Sequence, residues 1–231
     1  MTLGILGGLG PAATVYFYDM LTSMTQACCD QDHLDIVISS RASTPDRTAY
    51  ILGTSDNNPA EYMVEDARKL VAFGADVIAI PCNTAHYFYD VVKESVDATV
   101  INIIEESCRR VKISGGTCIG ILATEGTVKA QAYHMMAHSM GLECVAPSSE
   151  GQAIINSIIY DRIKQGKDVD IDAFMGVAQE LFELGADRIV LGCTELSLLC
   201  REYHFDSRFV DSLKTLALSV LKKFNKTVVE K

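Results

Sequence analysis

Two cysteines stand out by where they fall in an internal repeat. Leu70–Cys82 (LVAFGADVIAIPC) and Leu181–Cys193 (LFELGADRIVLGC) share six of thirteen residues at an offset of 111: the leading Leu, Gly-Ala-Asp, one Ile and the closing Cys. A weaker echo relates Leu3–Gly8 (LGILGG) to Ile119–Thr124 (IGILAT), offset 116. Each half thus opens with a Gly-Ile-Leu strand and later carries helix, Gly-Ala-Asp, strand and a Cys at the strand's carboxyl end. Ligands of open α/β sheets bind at that end. Each Cys precedes a helix start, Asn83-Thr84 and Thr194-Glu195, where amide N–H groups and the helix dipole favour a thiolate. Cys82 and Cys193 therefore suit a two-base proton transfer at carbon. One thiolate removes a proton, the other thiol delivers one to the opposite face, and the roles swap for the reverse reaction. Disulfide redox would call for Cys-x-x-Cys, which the chain lacks. The other six cysteines read as packing, with Cys28-Cys29 on a helix and Cys108, Cys118, Cys144 and Cys200 in apolar runs.

The elements that must position these thiols follow from short apolar runs alternating with amphipathic ones. Strands are expected at Thr2–Leu6, Leu34–Ser39, Asp76–Ile80, Thr99–Ile101, Thr117–Leu122 and Arg188–Leu191. Helices are expected from Pro11 to about Cys28, and over Pro59–Phe73, Thr84–Lys93, Ile104–Val111, Lys129–Ser139, Gly151–Lys164, Ile171–Leu184, Leu196–Arg201 and Ser212–Phe224. Strands with helical spacers imply βαβ units. The expected architecture is α/β: two pseudo-symmetric three-layer halves with mostly parallel sheets and the active site in the cleft that separates them.

Composition narrows the function. The chain has 231 residues, 48% hydrophobic and 22% charged, which is ordinary globular usage. Twenty Lys+Arg against thirty Asp+Glu give −10, the wrong sign for a nucleic-acid binder. No apolar run reaches the ~18 residues of a membrane span. The first basic residue is Arg41, so no secretory signal is read, and the expected compartment is the cytoplasm with its cysteines reduced.

Five short motifs occur in order along the chain: GGLGPAAT (Gly7–Thr14), PDRT (Pro45–Thr48), PCNTAH (Pro81–His86), ATEGT (Ala123–Thr127) and GCTEL (Gly192–Leu196). Jointly they resemble the aspartate racemases of the cofactor-independent aspartate/glutamate racemase superfamily. The resemblance implies Cys82 and Cys193 as acid and base, no pyridoxal phosphate and no metal, and a homodimer acting on a dicarboxylic amino acid. It implies a first domain of residues 1–100 with 208–231, whose C-terminal helix returns to it, and a second of 101–207.

A dicarboxylate needs local positive charge. Arg47 can clamp a carboxylate through its planar fork, and the resemblance places Lys164 on the side-chain carboxylate. Asn83, Thr84, Thr127 and Thr194 are assigned to the α-carboxylate and α-amino group. Glu195 either pairs the ammonium or stands as a plain helix-start carboxylate. The turn at Gly8 and Leu9 lets backbone approach the ligand. His86 either tunes Cys82 or is structural. His134 and His138, four apart, have a zinc-ligand spacing but no third ligand nearby, so a helix surface is expected. Glutamate racemase, hydantoin racemase and maleate isomerase are neighbouring activities. A nucleotide-binding oxidoreductase is the reading from another class: Gly8-Leu9-Gly10-Pro11-Ala12-Ala13 fits the dinucleotide fingerprint. It lacks the ribose-binding acid after the second strand, and it leaves the cysteine repeat unexplained.

Overall fold

The structure, a computed structural model, describes residues 1–229. The chain forms two compact units, Met1–Ile103 with the segment from Leu213 onward, and Ile104–Ser212. The first contains β1 (Thr2–Gly7), α1 (Pro11–Met24), β2 (Asp35–Ser40), α2 (Arg47–Ile51), α3 (Pro59–Ala72), β3 (Ala75–Ala79), α4 (Tyr89–Glu94) and β4 (Thr99–Ile101). Helix α5 (Ile103–Ile113) leads into the second unit. There follow β5 (Cys118–Leu122), α6 (Glu125–Lys129), α7 (Ala132–Ser139), β6 (Glu143–Val145), α8 (Ser149–Ser157), α9 (Ile171–Glu183), β7 (Arg188–Leu191) and β8 (Phe209–Asp211). Helix α10 (Ser212–Lys223) carries the chain back to the first unit.

Each unit has one four-stranded sheet, all parallel, in the order β2-β1-β3-β4 and β6-β5-β7-β8. The registers match as well as the order. Gly4 lies opposite Ile78 in the first sheet and Gly120 opposite Ile189 in the second, which are the positions the two repeat offsets equate. The α/β architecture with two like halves is therefore as the sequence implies.

The Gly-Ala-Asp repeat has a complete structural explanation. Gly74 (φ 92°) and Gly185 (φ 100°) end α3 and α9 in the left-handed region that glycine alone enters cheaply. The following Ala packs on the strand glycine: a Cβ added to Gly4 would meet Ala75 Cβ at 2.9 Å and Leu70 Cβ at 3.2 Å. One added to Gly120 would meet Ala186 Cβ and Leu181 Cβ, both at 3.0 Å. The Asp then latches the start of the first strand. Thr2 N–H donates to Asp76 Oδ2 (2.7 Å), and Thr117 N–H and Cys118 N–H donate to Asp187 (2.8 and 3.3 Å). Helix, turn and strand pair thus form one packing unit used twice.

Each unit has its own apolar core. The first gathers Leu6, Met63, Leu70, Ile78, Ile80 and Phe88; the second gathers Leu122, Ile155, Phe174, Leu181, Ile189 and Leu191. At ~1.5–3 kcal/mol per fully buried large apolar side chain, these cores dominate folding.

Several elements depart from the expected boundaries. Helix α1 stops at Met24, because Thr25 is extended, returns its hydroxyl to Leu21 O (2.6 Å) and bridges Val228. Cys28 and Cys29 therefore lie exposed on a turn, not packed on a helix. The segment after Cys82 splits into a 3-10 turn (Thr84–Phe88) and α4. The helix beginning at α8 loosens into a π-turn (Ile158–Arg162) and a 3-10 turn, so Lys164 sits in irregular backbone ahead of left-handed Gly166. Strands β6 and β8, three residues each, are additions to the expected set.

Candidate active site

In the first unit, β1 delivers the chain into a tight glycine turn. Gly8 has φ 80°, and a Cβ there would lie 2.5 Å from Arg41 N, so only glycine fits against the end of β2. Thr14 holds the turn from α1: its hydroxyl accepts from Gly8 N–H (3.0 Å) and donates to Gly10 O (3.1 Å). Leu9 buries its side chain in the core, so what it offers is backbone. Its carbonyl accepts from Arg47 Nη2 (2.9 Å).

Arg47 is set by its own helix start. Asp46 caps α2, its carboxylate accepting from Ala49 N–H (2.7 Å), and Arg47 follows as the first helical residue. The guanidinium is buried and bound only by carbonyls: Leu9 O, Pro45 O (2.9 Å) and Thr44 O (3.3 Å). Its Nε is buried with no hydrogen-bond partner, and among the described residues no carboxylate pairs with it. A buried cation without a counter-ion is costly.

On the neighbouring strand, β3 ends two residues before the Pro81-Cys82 step. Cys82, Asn83 and Thr84 are all buried, and Cys82 N–H donates to Ile80 O (2.8 Å). His86 resolves as a backbone tie. Its Nε2 accepts from Ile103 N–H (3.2 Å), which leaves the proton on Nδ1 to donate to Cys82 O (2.8 Å). Burial pushes this imidazole down to about 4, against the opposite pull of the Cys82 and Ile101 carbonyls, so it is neutral. It anchors the Cys82 backbone to the start of α5.

The second unit builds its counterpart differently. Gly192 crosses tightly over Ile121, where a Cβ would lie 2.3 Å from Ile121 Cδ1, and its N–H donates to Leu122 O (2.8 Å). Cys193 follows, buried, and its thiol donates to Glu195 Oε2 at 3.0 Å. The Thr194 hydroxyl lies 3.5 Å from the same oxygen. Lys164 Nζ is 3.7 Å from Glu195 Oε1 and 4.6 Å above the Tyr160 ring. Burial, then the negative charge and hydrogen bond of Glu195, push the Cys193 thiol well above its ordinary range, while Lys164 pulls back. Cys193 is therefore held as a thiol, a correction to the thiolate expected from its place before a helix start, because burial and the Glu195 carboxylate outweigh the backbone N–H groups. At the carboxyl end of adjacent β5, Thr124 caps α6 by accepting from Thr127 N–H (3.3 Å), and the two hydroxyls are 3.0 Å apart.

The first unit thus joins Gly8, Leu9 and Arg47 at one strand end and Cys82, Asn83 and Thr84 at the next. The second joins Lys164, Cys193, Thr194 and Glu195, with Thr127 on the adjoining strand. Thr14 and Thr124 were not singled out by sequence, though Thr14 closes the GGLGPAAT motif. His134 and His138 stay without a metal site: no group of three metal-ligating side chains occurs among the described residues. Nor is any helix among them long and apolar enough to cross a membrane.

Comparison with known proteins points to one family. The family model described as Asp/Glu/Hydantoin racemase matches residues 6–220. The broad specificity amino-acid racemase RacX of Bacillus subtilis is 27% identical over 227 residues, 96% of this chain and 97% of that protein. A glutamate racemase of Corynebacterium kroppenstedtii is 33% identical over 147 residues, 60% of this chain and 48% of that one. Among solved structures, the Picrophilus torridus aspartate racemase superposes with TM-score 0.84 at 27% identity, covering 99% of this chain and 96% of that one.

Proposed function

This chain belongs to the Asp/Glu/Hydantoin racemase family, and on that premise we propose that it interconverts L- and D-aspartate by two-base proton transfer at Cα, without a cofactor. The observation that carries the choice of a dicarboxylic substrate is Arg47, a buried guanidinium held by three carbonyls and lacking a carboxylate partner. A carboxylate arriving there gains charge-assisted hydrogen bonds and relieves an uncompensated charge.

In one direction the Cys82 thiolate takes the α-proton, leaving an α-carbanion, and the Cys193 thiol delivers its proton to the other face. The products are the Cys82 thiol and the Cys193 thiolate, and the reverse reaction restores both. Glu195 beside Cys193 favours its protonated form, so it begins as the acid. Asn83, Thr84, Thr127 and Thr194 bind the α-substituents and stabilise developing charge. Lys164 is divided: it neutralises Glu195 in the empty site and turns to the side-chain carboxylate when substrate binds. The working form is taken to be a cytoplasmic homodimer, for which exposed Tyr87 and Val91 offer apolar surface.

The test is α-proton exchange in D2O. L-Aspartate with reduced enzyme and no added cofactor should exchange its α-hydrogen and lose optical rotation. Absence of both at millimolar aspartate overturns the reading. Cys82→Ala and Cys193→Ala should each abolish racemisation while leaving at most one enantiomer exchanging. A second reading, glutamate racemase, is favoured by the Corynebacterium relative; the same assay on glutamate, hydantoins and maleate separates aspartate from these activities.

A further inference from the structure

We propose that Cys28 and Cys29 form a surface dithiol that chelates a soft thiophilic centre, with trivalent arsenic as the representative ligand. Both cysteines are thiols and both are exposed, unlike buried Cys82, Cys108 and Cys193. They are consecutive, so one short stretch of backbone presents two sulfurs.

That backbone is ordered. The Asp32 carboxylate accepts from Cys28 N–H (2.8 Å) and Cys29 N–H (3.2 Å), and the Cys29 thiol donates to it as well. Lys226 Nζ bonds Asp32 O and His33 O, while Gln26 N–H donates to Thr227 O (2.9 Å). The turn is thereby tied to the C-terminal segment from both ends. Next to it is a cavity of 350 Å³ lined by Tyr18, Leu21, Leu34, Ile36, Asp30 and His33, with His33 Nδ1 buried and without a hydrogen-bond partner.

Adjacency also decides what the pair accepts. Consecutive Cα atoms lie ~3.8 Å apart, whereas an ordinary disulfide spans ~4.4–6.8 Å, so direct S–S closure is strained. A bridging atom bonded to both sulfurs lengthens the closure and removes that strain. With phenylarsine oxide, two S–H bonds and the arsenic–oxygen bond break, two As–S bonds form, and the oxygen leaves with both protons as water. Arsenic stays trivalent and nothing is oxidised.

The experiment is intact-mass and peptide-mapping analysis of the reduced full chain with one equivalent of phenylarsine oxide. The expected result is one adduct, carried by the peptide containing Cys28 and Cys29, resisting excess monothiol and released by a dithiol. Cys28→Ser and Cys29→Ser should each weaken retention about a hundredfold by removing one arm of the chelate, with the far-ultraviolet spectrum unchanged. Cys82→Ser should leave the adduct in place. An adduct that persists in the Cys28→Ser/Cys29→Ser double variant, or maps to any other cysteine, overturns the proposal. This outcome is independent of racemisation, because the readout is mass.

Discussion

At the scale of single residues, the two thiols are matched in position and unmatched in chemistry. The residue two beyond Cys82 is Thr84, and the residue two beyond Cys193 is Glu195, whose carboxylate accepts a hydrogen bond from the thiol at 3.0 Å. Glu195→Gln removes the charge that holds that proton. The rise of Cys193 alkylation by iodoacetamide should move to lower pH, followed by peptide mapping, because a larger thiolate fraction is present at each pH. Turnover should fall about a hundredfold, the usual worth of a positioned acid or base; an unmoved alkylation profile would show that Glu195 does not govern Cys193. Arg47→Lys keeps the charge and loses the fork. KM for aspartate should rise about tenfold to a hundredfold while any turnover of alanine changes little. A parallel drop in melting temperature, shared by both substrates' assays, would instead make Arg47 only a clamp on Leu9, Thr44 and Pro45.

At the scale of elements, the repeat is a packing device that ends in chemistry. Gly4→Ala and Gly120→Ala each push a methyl into the paired helix at 3.2 Å or less, against Cβ atoms that cannot rotate away. Each should cost about 1–3 kcal/mol in urea unfolding. The His86 tie adds a pH dependence. Its folded pKa is about 4 against 6.5 unfolded, so between those values the unfolded chain binds a proton that the folded chain refuses. Stability should therefore fall by about 3 kcal/mol as pH drops through that window. His86→Gln, which keeps a donor and an acceptor but does not titrate, should flatten the slope measured by denaturant midpoints.

These elements also show what could be read in the sequence. The repeat was visible because Leu, Gly, Ala and Asp each satisfy a local demand that no other residue meets as well. Glycine supplies the positive φ, alanine the close approach, aspartate the strand latch. The strand ends bearing Cys82 and Cys193 followed directly. The end of α1 at Thr25 was not legible, because it depends on Val228, brought back by tertiary folding; the hydroxyl clasp of Thr14 on Gly8, six residues apart, lies within the GGLGPAAT motif itself. The exposure of Cys28 and Cys29 was missed for the same reason as the helix end: Val228, two hundred positions away, sets it.

At the scale of the whole molecule, the second unit is one continuous segment and the first is not. Helix α10 supplies Leu213, Leu216, Ala217, Val220 and Leu221, all fully buried. Removing residues 213–231 deletes these side chains and uncovers whatever they pack on, a loss of about 5–10 kcal/mol of burial, comparable to the whole stability of a domain. The truncated chain should lose the protection of β1–β4 amides in hydrogen exchange while β5–β8 remain protected. Uniform protection would show that α10 is dispensable to the first sheet.

The unequal neighbours of the two thiols bear on how such a molecule could arise. Take either half alone and double it. Two copies of the first would present a pair of unpaired guanidiniums and no carboxylate to hold a thiol proton. Two copies of the second would present two tethered thiols, each with a lysine already engaged, and no anion receptor like Arg47. Repetition alone yields a pair of identical groups with no preference for which of them holds a shared proton. On the proposed mechanism, the difference between Thr84 and Glu195 gives the pair a direction.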